Sequence, residues 1–338
     1  MNDRVLIWST ARELAERDAR GTLVTLARQR GSLPMGSDAK MLVALTGDRR
    51  GTVGGGCVEG DVIRQALQVA QGTEPEFARH RLDADSAGDI GLSCGGTVEF
   101  FLEPIVASHR MAQLYDCVAR AIQDRRHATV YTGADWTDGP CKGAKLGSEF
   151  LVVGNVEEVP ARSRMSTYFD SATNTLVESI RRVPRVVIFG AGHVGKEIAK
   201  VAAGAGFQVT VIDDREEFAN PERIPWASEV VAGDFRAVLD KMSFDEDDFV
   251  LSTTRGHKFD AYVVERTAGS PARYVGMLGS KRKRKVVLRA LEQAGVARDA
   301  LERVRTPIGL DVGADTPEEI AVSVVAELIS VRRQQPEH

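Results

Sequence analysis

At 338 residues the chain is long enough for two hydrophobic cores, since one core usually stops growing before that length. Hydrophobic residues make up 43% and charged residues 27%, and the formal net charge of −4 gives no pull toward nucleic acid or anionic membrane, so any anion site has to be local. No apolar run approaches a membrane span, and Met1-Asn2-Asp3-Arg4 leads into polar sequence rather than a signal-peptide core, so a cytoplasmic protein is expected.

The chain opens with an amphipathic helix, followed by the alternating run Thr22-Leu23-Val24-Thr25-Leu26 and a glycine-dense passage over 31–60 that reads as loop, strand and loop. A helix after Glu59 carries Val62, Ile63, Ala66, Leu67 and Ala70 at helical spacing, and 97–102 alternates as a strand that Glu103-Pro104 ends. Residues 1–105 are therefore expected to form a smaller mixed α/β domain. The following stretch, 106–183, gives a helix over 111–123, a strand near 129–131 and weaker strands at 150–153 and 175–178; it extends the first domain or bridges to the next. No internal repeat shows in the sequence.

From residue 184 short apolar strands alternate with helices, the pattern of a parallel sheet covered on both faces. Strands are expected at 185–189, 208–212, 230–231, 249–252 and 274–278, and a last helix at 317–331 with Thr316 as N-cap and Glu318-Glu319 at its positive end. The fold class is thus α/β, a C-terminal Rossmann-type parallel sheet domain over 184–338 preceded by the smaller mixed domain.

Gly190-Ala191-Gly192-His193-Val194-Gly195 is weak as a motif alone, but here it follows an apolar strand, opens a helix, and is followed by a second strand ending at Asp213. Gly190 makes the turn, Gly192 lets backbone N–H groups approach a pyrophosphate, and Gly195 lets helix pack on strand. The helix N-terminus favours an anion, and Asp213 stands where a ribose-binding acid belongs, which favours an NAD-like ligand over NADP. His193 is either a ligand contact or a local cap. Thr253-Thr254-Arg255-Gly256-His257 follows the fourth strand at its carboxyl end, where open α/β sheets bind ligands, and Arg255 is the anion-binding candidate there. Gly279 and Ser280 lead into Lys281-Arg282-Lys283-Arg284-Lys285, five cations at a helix start that form either a solvated face or an oxyanion contact.

In the first domain Gly51-Thr52-Val53-Gly54-Gly55-Gly56-Cys57-Val58-Glu59-Gly60 spends backbone entropy on a shape that wraps something, with Cys57 at a helix N-terminus where a thiol pKa falls. Cys94 lies in a second glycine-rich turn, Gly91-Leu92-Ser93-Cys94-Gly95-Gly96. Both thiols are either ligand-facing or small packing residues. Cys117 and Cys141 look incidental, and with no CxxC spacing no metal site is expected.

These clusters, with Gly31-Ser32-Leu33-Pro34, Ala39-Lys40-Met41-Leu42-Val43, Asp213-Asp214-Arg215, Gly276-Met277-Leu278-Gly279-Ser280 and the run 307–321, resemble the xanthine dehydrogenase accessory protein family of the XdhC/CoxI type. The resemblance covers about residues 8–105 and 184–331. Met35 and Asp38 depart from the pattern common in that family.

The resemblance implies a maturation factor rather than an enzyme with catalytic residues of its own. It would bind the molybdenum cofactor (molybdopterin), hold it while a cysteine desulfurase supplies sulfur, and deliver it to a molybdenum hydroxylase of the xanthine dehydrogenase type, as a homo-oligomer. Cys57 and Cys94 would contact the cofactor or handle sulfur, and Gly54, Gly55, Gly56, Glu59, Gly95 and Lys40 would hold its phosphate or pterin side. Gly190, Gly192, His193, Gly195, Asp213, Arg255, Gly279 and Ser280 would bind NAD or another nucleotide. Two other readings are an NAD-dependent oxidoreductase using His257 and a nucleotide-sensing regulatory module without chemistry.

Overall fold

The computed structural model describes residues 3–31, 36, 38–55, 57–82, 96–156 and 167–334. The chain divides into two compact units, Met1–Arg182 and Val183–His338, so residues 106–182 belong to the same unit as the residues before them.

The first unit starts with α1 (Asp3–Glu16) and the antiparallel strands β1 (Gly21–Gly31), β2 (Lys40–Ala44) and β3 (Arg49–Thr52). After these come α2 (Cys57–Val69), β4 (Glu76–Leu82) and β5 (Gly96–Ile105). The sheet order is β3-β2-β1-β5-β4. Helix α2 buries Val62, Ala66 and Val69 against Val24, Met41, Val43, Phe100 and Leu102 on one face of this sheet, as its spacing of apolar residues requires.

The chain then builds the same topology again. α3 (His109–Gln123) is followed by β6 (Ala128–Gly133), β7 (Lys142–Leu146), β8 (Glu149–Val153), β9 (Tyr168–Asp170) and β10 (Thr175–Ile180), in the order β8-β7-β6-β10-β9. Helix α3 starts on Ser108, whose hydroxyl accepts from Met111 N–H. The two copies correspond at several inward positions. Thr25 pairs with Lys40 across β1 and β2, and Thr132 pairs with Lys142 across β6 and β7. Leu23 pairs with Glu103, and Val130 pairs with Glu178. Trp8 of α1 and Tyr115 of α3 precede their sheets by the same number of residues, and their rings lie 5.9 Å apart. The repeat is invisible as sequence because only a handful of these inward positions keep their chemistry.

The second unit contains β11 (Arg185–Phe189), α4 (His193–Gly204), β12 (Gln208–Asp213), β13 (Glu229–Ala232), α5 (Phe235–Leu239), β14 (Asp248–Ser252), α6 (His257–Thr267) and β15 (Tyr274–Met277). It closes with α7 (Lys281–Gln293), α8 (Arg298–Glu302) and α9 (Pro317–Arg333). All strand pairs are parallel in the order β13-β12-β11-β14-β15, and the order in which the chain adds strands reverses between β11 and β14, which defines a Rossmann switch point. Two apolar clusters cover the faces, one around Ile188, Ala199, Phe249 and Val324 and the other around Phe189, Val264 and Val287. A capping box between Thr316 and Glu319 with Pro317 in the first turn starts α9 where expected. Among the described residues no helix is long and apolar enough to cross a membrane.

Candidate functional site

In the first unit three motif-bearing connections open at one end of one sheet. β1 ends at Gly31 opposite Gly96, where β5 begins, and β4 ends at Leu82, also opposite Gly96. β2 begins at Lys40 opposite Thr52, the last residue of β3. The chain therefore leaves the sheet toward α2 at this end, and at the same end it leaves β4 and returns into β5 just after Cys94. Gly56, Cys94 and Gly95 lie outside the described residues, as does the side chain of Cys57.

Local chemistry explains the shape of the glycine loop. Gly51 has φ +75°, and a Cβ there would stand 2.4 Å from the Lys40 carbonyl, so only glycine fits. Gly54 has φ +131°, whereas Gly55 faces open space. Glu59, in the first turn of α2, reaches back to accept from the Thr52 hydroxyl and Val53 N–H (3.3 Å). Its carboxylate pins the loop to the helix start that Cys57 opens, with the favourable sign for a helix N-terminus. Glu59 is thus a brace for the loop in this arrangement.

The ammonium of Lys40 is already engaged. It donates to Thr25 Oγ1 at 2.7 Å and Glu178 Oε1 at 2.6 Å, and lies 4.6 Å from the Trp8 ring centroid. Burial pulls its pKa below the usual lysine value against the attraction of Glu178. What Lys40 leaves for a ligand is a neutralised pair rather than a free cation. Sequence reasoning missed Glu178, Trp8 and Thr25, because the partner of Lys40 comes from the second copy of the fold.

In the second unit each glycine of the turn has a distinct job. Gly190 has φ +110°, and a Cβ would meet the Thr253 carbonyl at 2.5 Å; at Gly195 a Cβ would meet the Gly190 carbonyl at 1.9 Å. Gly192 faces open space and is the N-cap of α4, with no side chain capping the helix. This leaves an unobstructed helix N-terminus of the kind that accepts phosphate. His193 is exposed beside it.

Asp213 is spent differently from the expectation. It is 1% exposed; its carboxylate accepts from Ala191 N–H at 2.7 Å and from Arg215 Nε at 2.9 Å and Nη2 at 3.0 Å. Burial alone would raise its pKa, but Arg215 and the backbone donors together hold it below the usual carboxylate range. In this arrangement Asp213 clamps the glycine turn, and a ribose would compete with Arg215 for the same oxygens. Arg255 is exposed and lies 3.5 Å from Asp214. Thr253 and Thr254 are buried, and their hydroxyls donate to the Gly190 carbonyl and to Asp260. The side chain of His257 lies outside the described residues.

Gly279 has φ +159°, and Ser280 caps α7 through Lys283 N–H at 3.2 Å. The five cations do not form one face. Lys283 turns inward to Asp260 at 2.5 Å and to the Leu278 carbonyl at 2.8 Å, because the buried carboxylate requires a partner.

Fold and site together define a protein with a Rossmann-type half and a half built around glycine loops bearing cysteines. A model of the XdhC Rossmann domain matches residues 186–328, and one of the XdhC and CoxI family matches residues 14–83. The chain belongs to the XdhC family.

It is 26% identical over 336 residues to a probable xanthine dehydrogenase subunit of Bacillus subtilis, covering 95% of this chain and 96% of that protein. To the Escherichia coli "Molybdenum cofactor insertion chaperone PaoD" it is 24% identical over 315 residues, covering 93% and 84%. To the "Uncharacterized protein YqeB" of E. coli it is 28% identical over 98% of its own length but spans only 47% of that protein, about half. A crystal structure from Bacillus halodurans, described as a xanthine dehydrogenase, matches all of this chain and 98% of the other at 26% identity, with a TM-score of 0.81.

Proposed function

We propose that the protein is a maturation factor for molybdenum hydroxylases. It binds the molybdenum cofactor, shelters it while a cysteine desulfurase supplies the sulfido ligand, and passes it to an apo-hydroxylase of the xanthine dehydrogenase type. The observation that carries this reading is that the strands flanking the Cys57 and Cys94 stretches end and begin at one end of one sheet. Kinship with a protein named as a molybdenum cofactor insertion chaperone supports it.

The donor set fits the group. Thiolates are soft ligands suited to a molybdenum centre or a transferred sulfur, and Cys57 is the first residue of α2. Gly54 and Gly55, braced by Glu59, supply backbone that can approach a ligand closely. When bound, the cofactor supplies the molybdenum centre that the hydroxylase later uses; the protein's own part is to bind, orient and exclude water. The open N-terminus of α4 supports a nucleotide, either NAD or a nucleotide-bearing form of the cofactor, held by Gly190, Gly192, Gly195 and Arg255.

The test is to purify the protein from a host that makes the cofactor and from one that cannot, and to record fluorescence of the oxidised, acid-released ligand. A pterin spectrum from the first host alone is expected. A nicotinamide spectrum, or no ligand from either host, would overturn the reading.

A further inference from the structure

The outer edge of the parallel sheet carries a feature that neither the glycine turn nor the cysteine loops account for. Beyond β15 the segment 304–306 adds one more rung. Arg305 N–H donates to the Val275 carbonyl and Met277 N–H to the Arg305 carbonyl, each at 2.9 Å, and Gly276 and Arg305 are parallel partners. Helix α7 lies on one side of this edge, where Val287 and Leu291 pack with Val304; α9 lies on the other, where Val324 and Leu328 pack with Tyr274 and Ile308. Between them opens a cleft of about 460 Å³. A Rossmann nucleotide sits instead at the switch point between β11 and β14, so β14 and β15 separate the two places.

The cleft is lined by four cations, Lys281, Arg284 and Lys285 of α7 and Arg305 of the edge segment, and by two carboxylates, Glu302 and Glu327. Residues 281, 284 and 285 are three and four apart and share one face of the helix. Their neighbour Lys283 is committed to Asp260, but among the described residues none of the four lining cations makes an ion pair or a side-chain hydrogen bond. The carboxylates are engaged elsewhere. Glu302 pairs with Arg298 at 3.3 Å, and Glu327 Oε2 accepts from the Tyr274 hydroxyl and Gly309 N–H, both at 2.7 Å.

Four like charges around one cavity repel one another, and three of them stand near the start of a helix, where the dipole disfavours cations. The first turn of α7 has no acidic residue to offset this. An anion in the cleft relieves both costs. Two arginines among the four favour an oxyanion that takes paired hydrogen bonds, which is the geometry of a phosphate. The cleft is larger than a bare phosphate needs and falls within the range of small-molecule sites, about 300–1,000 Å³. Glu327 Oε1 takes no hydrogen bond from a described residue, so it can accept from a hydroxyl or amino group on the rest of the ligand.

We propose that this cleft binds a phosphorylated small molecule, its terminal phosphate held by Arg284 and Arg305 with Lys281 and Lys285 beside them, and its organic part facing Glu327. The site is independent of the maturation function proposed above.

The experiment titrates the full-length protein calorimetrically, at fixed salt, with ribose 5-phosphate and with inorganic phosphate. Saturable binding of ribose 5-phosphate is expected, tighter than that of inorganic phosphate. Arg284→Gln and Arg305→Gln should each weaken it about tenfold or more, since each removes a charge-assisted contact. Arg282→Gln changes an exposed cation of the same run that lies outside the cleft, and should weaken binding by less than about twofold. All three side chains are solvent-facing or half-buried, so melting temperatures should stay near that of the wild type.

Absence of saturable binding by either probe would overturn the proposal. So would an equal loss in Arg282→Gln, which would reveal a general positive field in place of a site. Binding that both cleft variants keep and Gly192→Ala loses would put the phosphate at the glycine turn and overturn the cleft. Inorganic phosphate binding as tightly as the ester would reduce the cleft to a free-anion site and overturn the phosphorylated organic ligand.

Discussion

Lys142 and Glu103, on β7 and β5, form an ion pair closed off from solvent, and the equivalent Lys40 and Glu178, on β2 and β10, form its counterpart with the two copies exchanged. Each copy of the fold thus supplies the lysine of one pair and the glutamate of the other. The two pairs lock the copies into one unit, with Thr132 and Thr25 satisfying the lysines further.

Removing one member of the sealed pair leaves a buried charge without compensation. Lys142→Met is expected to cost about 3–5 kcal/mol of unfolding free energy, and the double variant Lys142→Met/Glu103→Met to recover most of it. Denaturant unfolding of the three proteins measures this. Equal losses in the single and double variants would show that the pair is not the buried unit described.

The two glycines of the Rossmann turn should separate stability from binding. Gly195→Ala drives a Cβ into the Gly190 carbonyl and should lower unfolding free energy by several kcal/mol, about 2–4. Gly192→Ala meets open space, so its melting temperature should stay within a few degrees of wild type while affinity for a nucleotide falls. Thermal melts and nucleotide titrations of both variants check the contrast.

Asp213 gives the pH dependence. Its carboxyl is held below its ordinary range in the folded protein, so the unfolded chain takes up the proton first on acidification. Stability from this group is present above about pH 4, the unfolded value, and is lost as pH falls through the lower folded value. Asp213→Asn should be less stable than wild type at neutral pH, and the gap should narrow below about pH 4. A constant gap across that range would contradict the clamp.

Lys283 and Lys281 are neighbours on α7 with different fates. Lys283→Ala strands the fully buried Asp260 and should cost about 3 kcal/mol, whereas Lys281→Ala, on the exposed side, should change stability by less than about 0.5 kcal/mol. Urea midpoints of the two variants report it.

The legible part of the fold was the part written in regular patterns. Short apolar strands from Arg185 onward, the turn Gly190 to Gly195 and the Thr316 cap announced the parallel sheet and its last helix. The first unit was less readable. Strand β4 mixes Phe77 and Ala78 with Arg79, His80 and Arg81, and strand β7 is the short run Lys142–Leu146 between turns, so neither shows clear alternation.

The repeat leaves no local signature because it lives in pairings between distant strands, such as Lys40 with Glu178, which no local spacing encodes. For the same reason the partners that occupy Lys40 and Asp213 could not be foreseen: spacing places a side chain on a turn or strand end, but not the buried charge that meets it there.

Whether the turns bearing Cys57 and Cys94 hold a molybdenum cofactor is tested most directly by the amount of molybdopterin each protein carries, measured as its oxidised fluorescent product per mole. Wild type, Cys57→Ala and Cys94→Ala are compared from a cofactor-producing host. Measurable molybdopterin is expected on the wild type, with at least a tenfold loss in one or both variants and melting temperatures unchanged. Full retention in both variants would contradict the proposed role of the thiols.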